Sequence, residues 1–425
     1  MVKVAADGPL CILHKEDIMS NLDFTKTGFS TAAVHAGYIR DKEWGAEATP
    51  IYQTSTYTFD SLEEGGAVFS GEIPKYGYAR TGNPTVATFE RKMCALEHAN
   101  AAVATGSGMG AVSSALLGVL AAGDHIVCSD TVYGCTDVVM RSILPSLGIE
   151  TTQVDTSKPE LVKAAMKPNT KILYFEVAAN PTMKVTDIAE MVKIAHDNGA
   201  IVIVDNTFTP PPVCRPLDFG VDIVLHSVTK YLNGHGDVIA GVICSKDEEI
   251  IHTIKSRAVG KMTGSSMAPM MAFLIVRGLK TLGLRMKQHS CNACKMAEFL
   301  EKQPYIKAVY HPSLPSNGRN YEVAKKQFGE GYTTGMISFE TAAYKGMSEF
   351  ETAKKLLNAL QIPGIGVSLG GTDSLIQHPA SMTHANVTPE GRKEAGITDG
   401  LVRFSVGIED VEDLIADFEQ AAAKL

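Results

Sequence analysis

Residues 200–206 read AIVIVDN and residues 221–230 read VDIVLHSVTK. Positions 201–204 and 221–225 are short apolar runs rich in β-branched residues, which predicts two buried strands. Each run ends in polar side chains: Asp205 after the first, and Ser227, Thr229 and Lys230 after the second. In an open α/β sheet, ligands sit beyond the carboxyl ends of the strands. An acid, two hydroxyls and a lysine gathered there suit one anionic, nitrogen-containing cofactor. Pyridoxal 5'-phosphate fits this set: lysine bonds its aldehyde, aspartate pairs with its ring nitrogen and hydroxyls hold its phosphate.

Working outward, the same alternation continues. Helical stretches at 85–96 and 112–120 are interleaved with strand-like ones at 126–128, 172–175, 201–204, 223–225 and 238–244. This predicts an α/β fold with a large, mainly parallel sheet. Beyond Arg277 the texture changes. A long helical stretch at 278–302 is followed by strand-like MISFE and VSLGG, helical FETAKKLLNAL and a C-terminal helix DVEDLIADFEQAAAKL. The expected division is an N-terminal arm at 1–65, a cofactor-binding large domain at 66–280 and a small α+β domain at 281–425.

The chain has 425 residues and a formal net charge of −8, which argues against a nucleic-acid partner. No apolar run reaches membrane-spanning length, and the first residues contain no signal-peptide core, so a cytoplasmic protein is expected. Of the eight cysteines, Cys291 and Cys294 form a CxxC, but no second Cys or His pair at zinc-ligand spacing accompanies them. The segment reads as helix, and no metal site is expected.

Other motifs bear on chemistry. Thr105–Ala111 reads TGSGMGA before a helical stretch, so backbone N–H groups at that helix start are candidates to meet a phosphate. The same letters satisfy GxGxxA, and Asp130 closes the next strand, so a dinucleotide-dependent enzyme is a rival reading. Against it, Asp205 and Lys230 are left without a role. SVTK also satisfies SxxK, but KTG at 26–28 precedes it and no SDN lies between, which excludes a serine β-lactamase. Tyr78 and Arg80 stand in YGYARTGNPT, where Arg80 is a fork donor for phosphate or simply a solvated loop residue. Tyr133, in VYGC, is placed to stack on a flat ring, or to donate a proton if nearby cations lower its pKa; a core-edge aromatic is the plainer reading. Cys135 follows it. Arg403 lies inside the strand pattern LVRFSVG, where a charge is costly unless paired; a substrate carboxylate would pair it, and an edge strand facing solvent would also accommodate it.

Together these residues resemble the γ-family of pyridoxal-phosphate enzymes, the Cys/Met metabolism family. The resemblance runs through HAG (35–37), PIYQTST (50–56), YxRxxNPT (78–85), SGM (107–109), DNTF (205–208), HSVTKYLNGHGDVIAG (226–241) and SLGGTDSLIQHPASMTH (368–384). It implies a fold-type I architecture and a carbon–sulfur lyase, with Lys230 as the cofactor lysine and proton carrier. Asp205 would be the ring-nitrogen partner and Tyr133 the stacking residue and proton donor. Gly108, Met109, Ser227 and Thr229 would hold phosphate, and Arg403 with Ser368 would hold the substrate carboxylate. Tyr78 and Arg80 would complete a neighbouring subunit's site in a homotetramer of two active dimers. Cys135 after Tyr-Gly, and Val367 where cystathionine-cleaving members carry glutamate, favour α,γ-elimination of methionine. Cystathionine γ-lyase and O-acetylhomoserine sulfhydrylase activities are the alternatives. Gly260-Lys261 departs from the Lys-Asp usual in the methionine-cleaving branch, Ala178 replaces a usual proline, and residues 1–27 form an extension.

Overall fold

The computed structural model describes residues 22–39, 41–383, 385, 388, 391–392 and 396–425. Most of the N-terminal extension, residues 1–21, therefore lies outside the described residues, as does His384.

The two diagnostic runs form strands β5 (Ile201–Asp205) and β6 (Ile223–Ser227), paired in parallel at the centre of a seven-stranded sheet. Its remaining strands are β1 (Ala101–Thr105), β2 (His125–Ser129), β3 (Glu150–Val154), β4 (Thr170–Glu176) and β7 (Gly241–Ser245), in the order β1-β7-β6-β5-β4-β2-β3. The central strands are apolar almost throughout because both faces are covered. Val202, Val204 and Val224 pack into one core layer, while Ile203, Ile223 and Leu225 pack into another. Among the named helices, α1 (Pro84–Glu97) contributes Phe89 and Met93 to the first layer, and α2 (Gly108–Val119) contributes Val112 and Leu116 to the second.

β2 through β6 pair in parallel, whereas β7 runs antiparallel to both β6 and β1. The topology removes the dinucleotide reading. A fingerprint glycine loop joins adjacent parallel strands. Here the glycines follow β1, an edge strand, and α2 delivers the chain to β2 near the opposite edge.

Several elements differ from expectation. Residues 238–240 do not join β7, because Ala240 turns its N–H to Thr229 Oγ1 (3.1 Å) and its carbonyl to Val228 N (2.9 Å). The stretch 278–302 is not one helix: α3 (Pro269–Leu279) and α4 (Leu282–Glu301) meet at Lys280–Thr281. VSLGG is loop, since Gly370 takes φ +71° and an added Cβ would lie 2.6 Å from Tyr231 N. β3 and β1 were not anticipated; their sequences, ETTQV and AAVAT, are respectively too polar and too alanine-rich to read as strand.

A second sheet, in the order β10-β11-β12-β9-β8, contains β8 (Ile306–Tyr310), β9 (Met336–Thr341), β10 (Gly364–Ile365), β11 (Leu375–Gln377) and β12 (Leu401–Ser405). Helices α5 (Glu349–Ala359) and α6 (Val411–Ala422) pack on it through Leu356, Leu414 and Phe418. α4 serves both cores: Leu282 and Met286 belong to the large one, Met296 and Leu300 to the small one. Loop 366–373 of the second sheet reaches the segment after β6, where Gly370 abuts Tyr231.

Candidate active site

The carboxyl ends of β4, β5 and β6 bring Glu176, Asp205 and Ser227 to one edge of the large sheet, with Glu176 and Asp205 directly paired in register. Thr207 ties two of these ends together. Its N–H donates to Asp205 Oδ1 (2.9 Å) and its Oγ1 accepts from Ser227 N (2.8 Å). Burial raises the Asp205 carboxyl, and the Thr207 bonds work against that rise.

The start of α2 closes one side. Ser107 caps this helix by accepting from Gly110 N (2.9 Å). An added Cβ on Gly108 would lie 2.7 Å from Ser227 Cβ, so only glycine lets the helix start press on the end of β6. The N–H groups of Gly108 and Met109 lie in the first turn and have no intrahelical acceptor. With the Ser227 hydroxyl beside them, they fit a phosphate. The Thr229 hydroxyl is engaged with Ala240.

Lys230 follows in the turn after β6. Its Nζ donates to Ser368 Oγ at 3.1 Å, and burial, with the nearby Arg403 charge, lowers its pKa to about 8. The neutral amine is the nucleophile, so depression enlarges the reactive fraction at neutral pH. Capture of pyridoxal phosphate by the apoprotein should accelerate with pH through about 8, not through the ordinary lysine value of 10.5. A stopped-flow series against pH checks this, and a midpoint near the ordinary value would contradict it.

Arg403 lies on β12, flanked by β9 and β11, so the solvent-facing edge-strand reading is excluded. It is 4% exposed. Its Nη1 donates to Asn180 Oδ1 (3.2 Å) and its Nη2 to the carbonyls of Val367 (2.7 Å) and Ser368 (3.1 Å). Gln377, with its amide oxygen turned inward, accepts from Nε at 3.0 Å. Every one of these acceptors is neutral, so the buried guanidinium keeps an uncompensated charge facing the site. Ser368 thus touches both Lys230, through its hydroxyl, and Arg403, through its carbonyl.

Tyr133 is half-exposed, with Cys135 beside it. Cys135 and burial push the phenol up to about 12, and Arg403 opposes them. The cation-lowered phenol expected from sequence is therefore not found; Tyr133 stays protonated, as a donor must. Val367 is 56% exposed at the rim. Tyr78 and Arg80 do not join this group. Arg80 donates to the Gly260 carbonyl of its own chain and stands 5.5 Å over the Tyr78 ring.

Sequence reasoning gave Thr207, Asn180 and Glu176 no role, although Thr207 stands in DNTF and Glu176 and Asn180 flank Ala178. Among the described residues no group of three or more His, Cys, Asp or Glu is placed to hold a metal, and no helix is long and apolar enough to cross a membrane.

The cofactor suits these residues on three counts. The Gly108 cradle is too close for any Cβ, Asp205 stands at the strand end with Oδ1 bonded to the Thr207 backbone, and Lys230, in the turn after β6, holds a depressed amine. Comparison with known proteins agrees. Residues 30–423 match the model of the Cys/Met metabolism PLP-dependent enzymes. The chain is 50% identical to an L-methionine gamma-lyase of Porphyromonas gingivalis over 97% of its own length and 100% of the relative's. It is 44% identical to a cystathionine gamma-lyase of Bacillus subtilis over 92% and 98% of the two chains. The crystal structure of cystathionine gamma-lyase from Lactobacillus plantarum, complexed with L-serine, superposes with a TM-score of 0.85 at 38% identity, covering 94% of this chain and 99% of that one. The fold, a lysine and an aspartate beside a glycine cradle, and a family match over residues 30–423 converge: the chain belongs to the Cys/Met metabolism family of pyridoxal-phosphate-dependent enzymes.

Proposed function

We propose that this enzyme catalyses α,γ-elimination of L-methionine, consuming water and releasing methanethiol, ammonia and 2-oxobutyrate. The observation that carries the reading is the Lys230–Ser368–Arg403 linkage beneath a rim whose residue 367 is valine. Arg403 pairs with the substrate carboxylate through its uncompensated charge and fixes Cα near Lys230. Bound pyridoxal phosphate supplies an electrophilic aldehyde and an electron sink that works while its ring nitrogen is protonated. Asp205 keeps that nitrogen protonated. Lys230 takes the proton from Cα and helps move the proton at Cβ, guided by Ser368. Tyr133 would pack against the ring and donate its phenolic proton to the departing sulfur. Cys135 lies beside that phenol.

Val367 sets the preference for methionine over cystathionine. A glutamate there would face a thioether methyl unpaired, at a cost of about 1–3 kcal/mol, but would pair with the distal ammonium of cystathionine. Val367→Glu should therefore shift the ratio of kcat/KM values toward cystathionine about ten- to a hundredfold. The measurement is a panel of methionine, cystathionine, cysteine and O-acetylhomoserine, scored for 2-oxobutyrate and thiol with wild type and variant. A wild type that prefers cystathionine would overturn the methionine assignment and leave the family intact.

The proposed assembly is a cytoplasmic homotetramer of two active dimers, with the arm at 1–65, the large domain at 66–280 and the small domain at 281–425. Its support lies in the exposed apolar side chains of the arm. Trp44 is 82% and Leu62 91% exposed, in the same arm-and-loop region as Tyr78. Tyr78 and Arg80 would then reach the phosphate of the neighbouring subunit. Mixing inactive Arg80→Ala with inactive Lys230→Ala under subunit exchange should recover activity, because hybrid dimers contain one intact site. Hybrids verified by mass and still inactive would place the loop in its own subunit's site.

A further inference from the structure

One buried carboxylate has no part in the chemistry above. Glu176, the last residue of β4, is 6% exposed and stands beside Asp205. Its oxygens meet no cation. Oε1 accepts from Tyr133 N at 2.6 Å and Oε2 from Asn180 N at 3.1 Å. These two residues stand on separate loops, one after β2 and one after β4. Asn180 in turn accepts from Arg403 through Oδ1 at 3.2 Å. The carboxylate therefore joins the loop bearing the ring-stacking phenol to the loop bearing the guanidinium's partner.

Burying a carboxylate beside a second one is unfavourable, and an apolar residue would fill the same space without that penalty. What the apolar residue lacks is two acceptors. An amide would lack one of them as well: it has a single acceptor oxygen, and its NH2 would face the other backbone N–H.

We propose that Glu176 is a positioning residue that sets two parts of the site at once: the Tyr133 ring, through the Tyr133 amide, and the Arg403 guanidinium, through Asn180. This rests on the roles given above to Tyr133 and Arg403. Glu176 itself touches neither substrate nor cofactor. Because one side chain holds both loops, ring orientation and carboxylate grip are set together.

The test uses Glu176→Gln and Glu176→Asp holoenzymes. The aspartate keeps the charge but, one methylene shorter, reaches only one of the two amides. Visible circular dichroism of the bound cofactor reads ring orientation. Inhibition by L-norleucine, set against pentylamine, which lacks the carboxylate, reads the grip of Arg403. Both variants should keep cofactor content, show an altered dichroic band, and bind norleucine about tenfold more weakly with pentylamine unchanged, the size expected for loss of one charge-assisted hydrogen bond. A dichroic band and a norleucine-to-pentylamine ratio like wild type in both variants overturn the proposal, however far the melting temperature falls. Loss of fold in both also overturns it, because Glu176 would then be a requirement of the core. A wild type that releases no 2-oxobutyrate from methionine would instead count against the substrate reading, while the dichroism and the inhibitor ratio still decide this one.

Discussion

Asp205→Ala is expected to retain the cofactor and lose turnover, with kcat falling about 10²–10³-fold, the range seen when one preorganised electrostatic partner is removed. The proposed phosphate contacts from α2 and Ser227 do not involve Asp205, so cofactor content should change little. Stability should not fall either. The Asp205 carboxyl is raised by burial and sits against Glu176, which is itself raised well above its ordinary value by burial and by Asp205. Removing one of two crowded acids relieves that conflict, at the expense of one acceptor for Thr207 N. What is lost is the negative charge that keeps the ring nitrogen protonated while charge develops at Cα. Cofactor absorbance, thermal melting and steady-state rates measured together give the answer. A variant with bound cofactor and near-normal kcat would show that Asp205 is not the ring partner.

Arg403→Ala should act on the substrate instead. Breaking a buried charge pair costs about 2–5 kcal/mol, or roughly thirty- to four-thousand-fold in kcat/KM. Most of it should appear as a rise in KM, since the cofactor contacts lie elsewhere. Arg403→Lys restores the charge but not the fork, and should recover only part of the loss. Asn180 Oδ1 and the carbonyls of Val367 and Ser368 would turn to water in the alanine protein, so folding should be less affected than binding. The check is a comparison of methionine with its amide. If wild type and Arg403→Ala discriminate equally between them, the guanidinium does not hold the carboxylate.

Much of this site was legible in the sequence for a physical reason. Asp205 and Lys230 follow apolar runs that can only be buried strands, and Arg403 is a charge inside such a run. Patterns of that kind survive any detail of packing. Thr207, Asn180 and Glu176 left no comparable trace, because they act through hydrogen bonds to backbone amides and to the Arg403 guanidinium, and which donor they meet depends on how the loops fold over the sheet. In the fold, central strands were read because burial on both faces makes them uniformly apolar. The outer strand β3 escaped because its half-buried, polar ETTQV carries no such signal. VSLGG misled for the opposite reason: its apolar letters mimic a strand, while Gly370 is there to let two backbones touch. The assignment of Tyr78 and Arg80 to a neighbouring site came from resemblance, and nothing in spacing or composition would have suggested it.

The edge position of β1 also bears on how the chain is built in time. Among the described residues β1 at 101–105 pairs only with β7 at 241–245, and it carries α2, whose first turn is the proposed phosphate cradle. During synthesis the cradle helix emerges long before the strand that anchors it. Until β7 arrives, β1 has no strand to pair with and the apolar face of α2 has no complete sheet to cover. Such long-range closure slows folding and lengthens the exposure of sticky surface. A nascent chain that ends before residue 241 lacks the strand that anchors the start of this helix, so the cradle is complete only after the large sheet has been translated.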